Sequence, residues 1–150
     1  MRLESIEDRR DFDAAALGRI AASNHAEVRR RAALTIARLY DFRGRELLRA
    51  MRADTDTAVA ATVAFATGQL LDTASVEWLD FLMRSRNSPV GVAVEAAVAL
   101  GKIRTSDSRA RLAFYLSSAP VEAQTAPIVA EALLSIGRFR ETSLPRLPAA

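Results

Sequence analysis

The chain contains no cysteine and has little glycine, proline or aromatic content, with 6 Gly, 5 Pro and 6% aromatic residues among 150. Without cysteine it can form neither a disulfide framework nor a thiol-based active site. The scarcity of glycine and aromatics beside abundant alanine favours closely packed helices over β-sheet. Because half of the residues are hydrophobic, the chain as a whole is not disordered, and its length suits one domain with a real core.

The sequence also lacks long apolar runs and a strong excess of either charge. No stretch of 18 consecutive apolar residues occurs, so we expect no membrane span. The opening MRLESIEDRRDFD has no apolar run after its charges and is not a signal peptide, which predicts a cytoplasmic protein unless a leader precedes it. The net charge of +3 favours acidic partners only weakly and is by itself no evidence for nucleic acid. Because aromatic residues for base stacking are not interleaved with the arginines, we expect no nucleic-acid partner.

A twelve-residue segment recurs four times along the chain. The clearest copy is VAVEAAVALGKI at residues 92–103, and the others lie at residues 28–39, 59–70 and 128–139. The tenth position of each copy is small, and these four residues follow one another at periods of 31, 33 and 36: Ala37, Gly68, Gly101 and Gly137. Self-similarity at this period is typical of a solenoid.

Each copy has the pattern of an amphipathic helix. Its first, fifth, ninth and twelfth positions are apolar except at Thr67, and this 3–4 spacing places them on one side of an α-helix. The sixth and tenth positions are mostly small, which would let a neighbouring helix approach closely. Glycine inside a helix costs about 1 kcal/mol relative to alanine. Its recurrence therefore predicts either a compensating packing gain or a weakened helix C-terminus.

The repeated segment reads as the second helix (helix B) of a helical hairpin. First helices (helix A) are expected at residues 12–22, 45–53, 74–84 and 107–117, which gives units at residues 12–40, 41–71, 72–104 and 105–139. Residues 1–11 form a charged lead-in, and residues 140–150 an irregular tail or linker. Equivalent positions on either side of the A–B turn are separated by 8, 8, 10 and 12 residues in the four units, so added length lies mostly in that turn.

The segments VRRRAALTIARLYD and VEAAVALGKI resemble HEAT-type repeats, in the short bacterial form also called the HEAT-like repeat of phycobiliprotein lyases. The resemblance covers about residues 12–139. It implies an all-α fold, a right-handed α-α superhelix (solenoid) of about four HEAT-like helical hairpins of the armadillo-like kind. The opening SIEDRRDFDAAAL also resembles the lead-in of HEAT arrays fused to bacterial cyclophilin-type prolyl isomerases, although no isomerase domain is found in the 150 residues.

Residues capable of reaction chemistry are scattered. His25 is the only histidine, and we expect a solvated or helix-capping role for it; HEAT-type iron hydroxylases, which carry repeated His-Glu pairs, are excluded. Asp54 and Asp56 are interpreted as helix N-caps, and Trp78 as a packing residue and not a base-stacking one. No phosphate loop or nucleophile elbow occurs. The sequence therefore predicts a protein that is not an enzyme and has no cofactor or metal.

Two surfaces are candidates for binding. The run Arg29 to Arg31, with Arg38, is either the solvated outer face of a terminal repeat or a patch for an acidic or phosphate-bearing partner. The fourth, eighth and eleventh positions of helix B would line the inner side of a solenoid, with small residues as its floor. Together these two surfaces give the following candidate partner-binding residues: Arg30, Arg31, Thr35, Arg38, Thr62, Gln69, Glu95, Lys102, Glu131 and Arg138. The alternative is that the basic residues only complement helix dipoles.

The last three copies are also apolar at their second and third positions, and a helix that is apolar nearly all round is usually buried. A partner, a second copy or a neighbouring domain would then cover these helices. The function predicted is a non-catalytic protein–protein interaction or scaffold module, with a partner protein on the inner face of helix B and self-association as a possibility. The alternatives are an accessory HEAT array of an enzyme (prolyl isomerase or chromophore lyase) and a weak binder of acidic or phosphate partners through the arginine patch.

Overall fold

A computed structural model describes residues 12–139 of the chain, and this part is all-helical, with no β-strand. Short and long helices alternate over the first six, the last two are of similar length with 13 and 12 residues, and the expected lead-in and tail lie outside the described residues. The helices are α1 Ala14–Ala21, α2 Ala26–Leu39, α3 Gly44–Ala50, α4 Thr57–Gln69, α5 Val76–Arg84, α6 Val90–Ile103, α7 Ser106–Ser118 and α8 Ala126–Gly137, with one 3₁₀ turn at Thr73–Ser75. We call α1, α3, α5 and α7 the A helices and α2, α4, α6 and α8 the B helices.

Short polar side chains cap the N-termini of three helices, α1, α4 and α7. Asp13 accepts the Ala16 N–H at 2.9 Å, and Asp56 accepts the N–H groups of Ala58 and Val59 at 2.9 and 3.0 Å. Thr105 and Ser108 form a reciprocal capping box at the start of α7. The N-cap interpretation of Asp56 is confirmed, and the expected helices are found with ends displaced by no more than three residues.

The B helices pack against one another in chain order, α2 on α4, α4 on α6 and α6 on α8, and each A helix packs on the B helix that follows it. The buried side chains form two clusters. One involves α1 to α4 around Leu17, Ile36 and Leu48, and the other involves α5 to α8 with part of α4. Trp78 packs against both clusters, as expected for a core residue.

Glycine permits the closest approaches between B helices. A Cβ built on Gly68 would lie 2.6 Å from the Ala99 Cα, and one built on Gly101 would lie 2.6 Å from the Ser135 Cβ. Both distances are far inside van der Waals contact, so no side chain fits at either position. The packing interpretation is therefore confirmed for Gly68 and Gly101. It does not extend to Gly137, where a Cβ would meet nothing within 4 Å.

Gly68→Ala is expected to lower the free energy of unfolding by about 1–3 kcal/mol, because α4 and α6 must separate and that loss outweighs the better helix propensity of alanine. Gly137→Ala is the matched control and should be neutral or stabilising by no more than about 1 kcal/mol. Urea denaturation followed by circular dichroism measures both changes. Equal effects of the two substitutions would contradict the packing role of Gly68.

Arginine side chains link the second helix pair to the third. Arg45 donates to the Leu70 carbonyl oxygen at 2.7 and 2.9 Å, at the end of α4. Arg49 holds both carboxylate oxygens of Asp72 at 2.6 and 3.0 Å, and the Arg52 guanidinium lies 4.8 Å from the centre of the Trp78 ring. These bonds close the C-terminus of α4 and join α3 to the start of α5.

Asp72 is the centre of this link, with only 2% of its surface exposed. Burial raises the pKa of its carboxyl, but hydrogen bonds from Arg49 and Ser75 and the charges of Arg49 and Arg45 outweigh burial and leave the pKa below its usual value. The carboxylate is therefore held in its charged form. Asp72 contributes stability above its ordinary pKa, and this contribution is lost as the pH falls through the lowered value.

Asp72→Ala should cost about 2–4 kcal/mol at pH 7, because it leaves Arg49 and Arg52 without their buried partner. Asp107→Ala removes an exposed pair with Arg111 on α7 and should cost less than about 1 kcal/mol. Urea denaturation at pH 7 and at pH 3 tests both, and the difference between wild type and Asp72→Ala should shrink at the lower pH. A cost that is unchanged at pH 3 would rule out the charged carboxylate as its source.

Candidate partner-binding surface

Most of the candidate residues lie at the fourth and eleventh positions of the repeated copies. We call the surface formed by the fourth, seventh and eleventh positions of each copy the B face. Arg31 and Arg38 are exposed on α2, whereas Thr35 is buried, with 1% exposure. The other candidates are half-buried: Arg30, Thr62, Gln69, Glu95, Lys102, Glu131 and Arg138.

The eighth positions of the copies do not form the floor of this surface. Thr35, Ala66, Ala99 and Ser135 are all buried, and the last two are the residues on which Gly68 and Gly101 pack. Helix packing has therefore closed these small positions, and Thr35 is not accessible to a partner. The sequence misplaced the floor by one position, because its stripe of small residues serves contact between helices.

The floor consists of the seventh positions, which the sequence reasoning had not singled out. Leu34, Phe65 and Val98 are half-buried there, and Leu134 on the last helix is exposed to 63%. The signal was present, since all four residues are large and apolar at one register of the repeat. The row is therefore apolar from α2 to α8, and the polar fourth and eleventh positions flank it.

Charged groups meet the apolar row on α4 and α6. The Lys102 ammonium lies 4.3 Å from the centre of the Phe65 ring, a distance at which a cation is attracted to the ring face. Burial lowers the pKa of Lys102, although the nearby carboxylates Glu95 and Glu131 oppose this. The Lys102 ammonium is thus partly dehydrated, and its attraction to the Phe65 ring offsets part of that cost.

Glu95 has a less favourable environment. Burial raises the pKa of its carboxyl, with Glu131 adding to this and Lys102 opposing it. No hydrogen bond from residues 12–139 reaches the Glu95 carboxylate, and only the charge of Lys102 compensates its partial burial. A half-buried charge without a hydrogen-bond donor costs stability in the free protein.

On α8 the corresponding charges satisfy each other. Arg138 Nη2 lies 3.3 Å from Glu131 Oε1, and the Ser135 hydroxyl bridges the two side chains at 3.3 and 3.4 Å. The position-four and position-eleven residues of α8 therefore form a closed polar group. In α6 the equivalent residues, Glu95 and Lys102, form no such bond.

Glu95→Gln should raise the free energy of unfolding at pH 7, because a neutral amide of the same shape avoids the cost of burying a charge. The folded-state pKa of Glu95 is raised above the ordinary value of 4.5. The Glu95 carboxylate therefore destabilises the folded protein increasingly as the pH rises above 4.5. The gain should therefore fade at pH 4. Urea denaturation at pH 7 and pH 4 measures this gain in stability. A loss of stability at pH 7 would show that interactions within the protein stabilise the Glu95 carboxylate.

The arginine cluster on α2 is mostly occupied by local partners. Arg29 binds both carboxylate oxygens of Asp54 at 2.6 and 2.9 Å, and Arg30 binds Glu27 at 2.8 and 2.9 Å. The Arg29 bond lowers the pKa of Asp54. Asp54 was expected to be a helix N-cap, and this expectation is wrong, because Asp56 caps α4 and the Asp54 carboxylate ties α2 to the turn between α3 and α4. Arg29 and Arg30 are therefore paired with carboxylates, whereas Arg31 is exposed.

The residues considered for chemistry are not assembled into a reactive site. His25 occupies the N-cap position of α2, is exposed and makes no side-chain capping bond. Within the described part of the chain no group of three His, Asp or Glu side chains is placed to hold a metal ion. Between residues 12 and 139 no helix combines the length and the apolar character needed to cross a bilayer.

The apolar second and third positions of α4 and α6 have an explanation inside the protein. Ala93 is buried within the core, and Ala60, Ala61 and Val94 are half-buried, whereas on α8 Val129 is half-buried and Ala130 is exposed. Because α4 and α6 each contact a B helix on two sides and A helices besides, they need apolar residues over most of their circumference.

A scan of protein-family models finds no match to this chain, and a search of curated proteins finds none either.

Proposed function

We propose that this chain is a non-catalytic protein-binding or scaffold module of the HEAT-like type, in which four helical hairpins form a right-handed α-α superhelix. Three observations support the architecture: the repeat periods of 31, 33 and 36 residues, the serial packing of the B helices, and the glycine contacts at equivalent positions of successive copies. In such an array each unit buries its apolar faces only against its neighbours. The proposed location is the cytoplasm.

The partner protein binds the B face, and Glu95 carries this proposal. Its carboxylate is half-buried beside an apolar row and receives no hydrogen bond from the described residues. A charge kept at a cost to stability is typical of functional positions, because stability and binding make opposing demands on the same residue. A partner that donates a hydrogen bond to Glu95 and packs apolar side chains on Phe65 and Val98 would compensate this cost.

The other functions considered from the sequence gain less support. Binding of phosphate partners through the arginine patch would require charges that Arg29 and Arg30 already share with Asp54 and Glu27. The accessory role for a prolyl isomerase or a chromophore lyase rests on the resemblance of the repeats alone. Protein binding through the B face is therefore the function we propose.

Glu95→Arg tests this proposal, with Glu77→Arg as the matched control, because Glu77 is an exposed glutamate on the A helix α5. Affinity capture from a lysate of the source cells, quantified by mass spectrometry, should retain a partner with wild type and with Glu77→Arg. Glu95→Arg should reduce its recovery at least about ten-fold, since it reverses a charge at the centre of the interface. Circular dichroism confirms that all three proteins are folded.

Equal recovery of every captured protein by both variants would contradict the B face as the binding surface. Light scattering over a concentration series tests whether the partner is a second copy of the chain. A stable dimer that Glu95→Arg dissociates would identify the partner on this face as a second copy of the chain.

A further inference from the structure

The two lengthened A–B turns line a single cleft. The turn between α5 and α6 and the turn between α7 and α8 belong to the units in which the A–B separation has grown to 10 and 12 residues. Between them lies a cleft of about 540 Å³. This volume lies within the range of small-molecule binding sites, and insertions in surface turns are a common source of such sites.

The floor of the cleft is apolar and its rim is polar. Met83, Tyr115 and Ile128 line it and are buried. Burial raises the pKa of the Tyr115 phenol, which therefore stays protonated and can donate a hydrogen bond. The rim carries the following polar side chains: Arg84, Arg86, Ser85, Ser88, Ser118, Glu122, Gln124 and Thr125. Two guanidinium groups and one carboxylate thus lie on the rim.

The turn on the α8 side is held in shape without a ligand. The Thr125 hydroxyl donates to the Pro120 carbonyl oxygen, and it accepts the Glu122 N–H at 2.9 Å. These bonds fix the turn across residues 120–125, so a ligand would find a preformed wall and would not have to order it. Pro127 in the first turn of α8 restricts the chain further.

The two arginines on the rim differ in how far they are engaged. Arg84 lies over the Phe114 ring at 4.8 Å and is 3.5 Å from a carboxylate oxygen of Asp80. Arg86 is exposed and forms no ion pair with the described residues. Arg86 is therefore the guanidinium that is available to a ligand, and a carboxylate suits its fork of parallel N–H donors.

We propose that this cleft binds a ligand that joins an apolar group to a carboxylate, with the apolar group over Met83, Tyr115 and Ile128 and the carboxylate at Arg86. Such a ligand is either a free aromatic or aliphatic acid or the C-terminal residue of a peptide. The site is independent of the B face, since none of the residues that line the cleft belongs to that surface. It adds recognition of an acid to the proposed protein-binding function.

Titration of the ¹⁵N-labelled full chain, followed by amide chemical shifts, tests the proposal with three probes. They are 3-phenylpropanoate, N-acetyl-glycyl-phenylalanine and the C-terminal amide of the latter. The two acids should shift the amides of residues 84–90 and 118–128 to saturation, with dissociation constants on the order of 1 mM or below, as expected for ligands of this size. The amide should bind about ten-fold more weakly, because it lacks the charge.

Arg86→Ala should weaken both acids about ten-fold and leave the amide nearly unaffected. Arg109→Ala, at an exposed arginine of α7 outside the cleft, is the control and should leave all three probes unchanged. Tighter binding of the dipeptide than of phenylpropanoate assigns the site to a peptide C-terminus, and equal binding assigns it to a free acid. Three results would each overturn the proposal: the absence of saturable shifts, equal affinity for acid and amide, or an affinity of Arg86→Ala for the acids equal to that of wild type.

Discussion

The close contact between successive B helices is the constraint on which the rest of the fold depends. Where Gly68 meets Ala99 and Gly101 meets Ser135, no side chain separates the two helices. This proximity sets the spacing of the helix row, and the A helices can then cover only one side of it. The opposite side remains accessible as the B face. The same residues that hold the row together therefore determine which positions of each copy stay accessible.

Ion pairs of arginine complement these apolar contacts between successive helix pairs. Arg29, Arg49 and Arg111 each bind a carboxylate on a different helix pair or at its start. The guanidinium group reaches far and satisfies several acceptors at once, so it can bridge helices that are too far apart for apolar side chains to touch. These three arginines therefore have a structural role.

The helices and their order were predictable from the sequence, because a 3–4 apolar spacing and short polar caps act locally. The small sixth and tenth positions also predicted close packing correctly at Gly68 and Gly101. The floor of the B face was not predictable in the same way. A small residue such as Ala99 suits a groove or a helix contact equally well, and only the position of the neighbouring helix decides between them. The bond between Arg29 and Asp54 likewise depends on contacts between residues distant in sequence.

The division of the buried residues into two clusters affects how the protein loses its structure. In an array whose units contact only their neighbours, cooperativity depends on the strength of each junction. Here the α4–α6 contact and Trp78 connect the two clusters. If this junction is strong, amide hydrogen exchange in α2 and α8 proceeds through the same global opening. If it is weak, the two halves exchange as separate units, and binding of a partner across both halves would couple them.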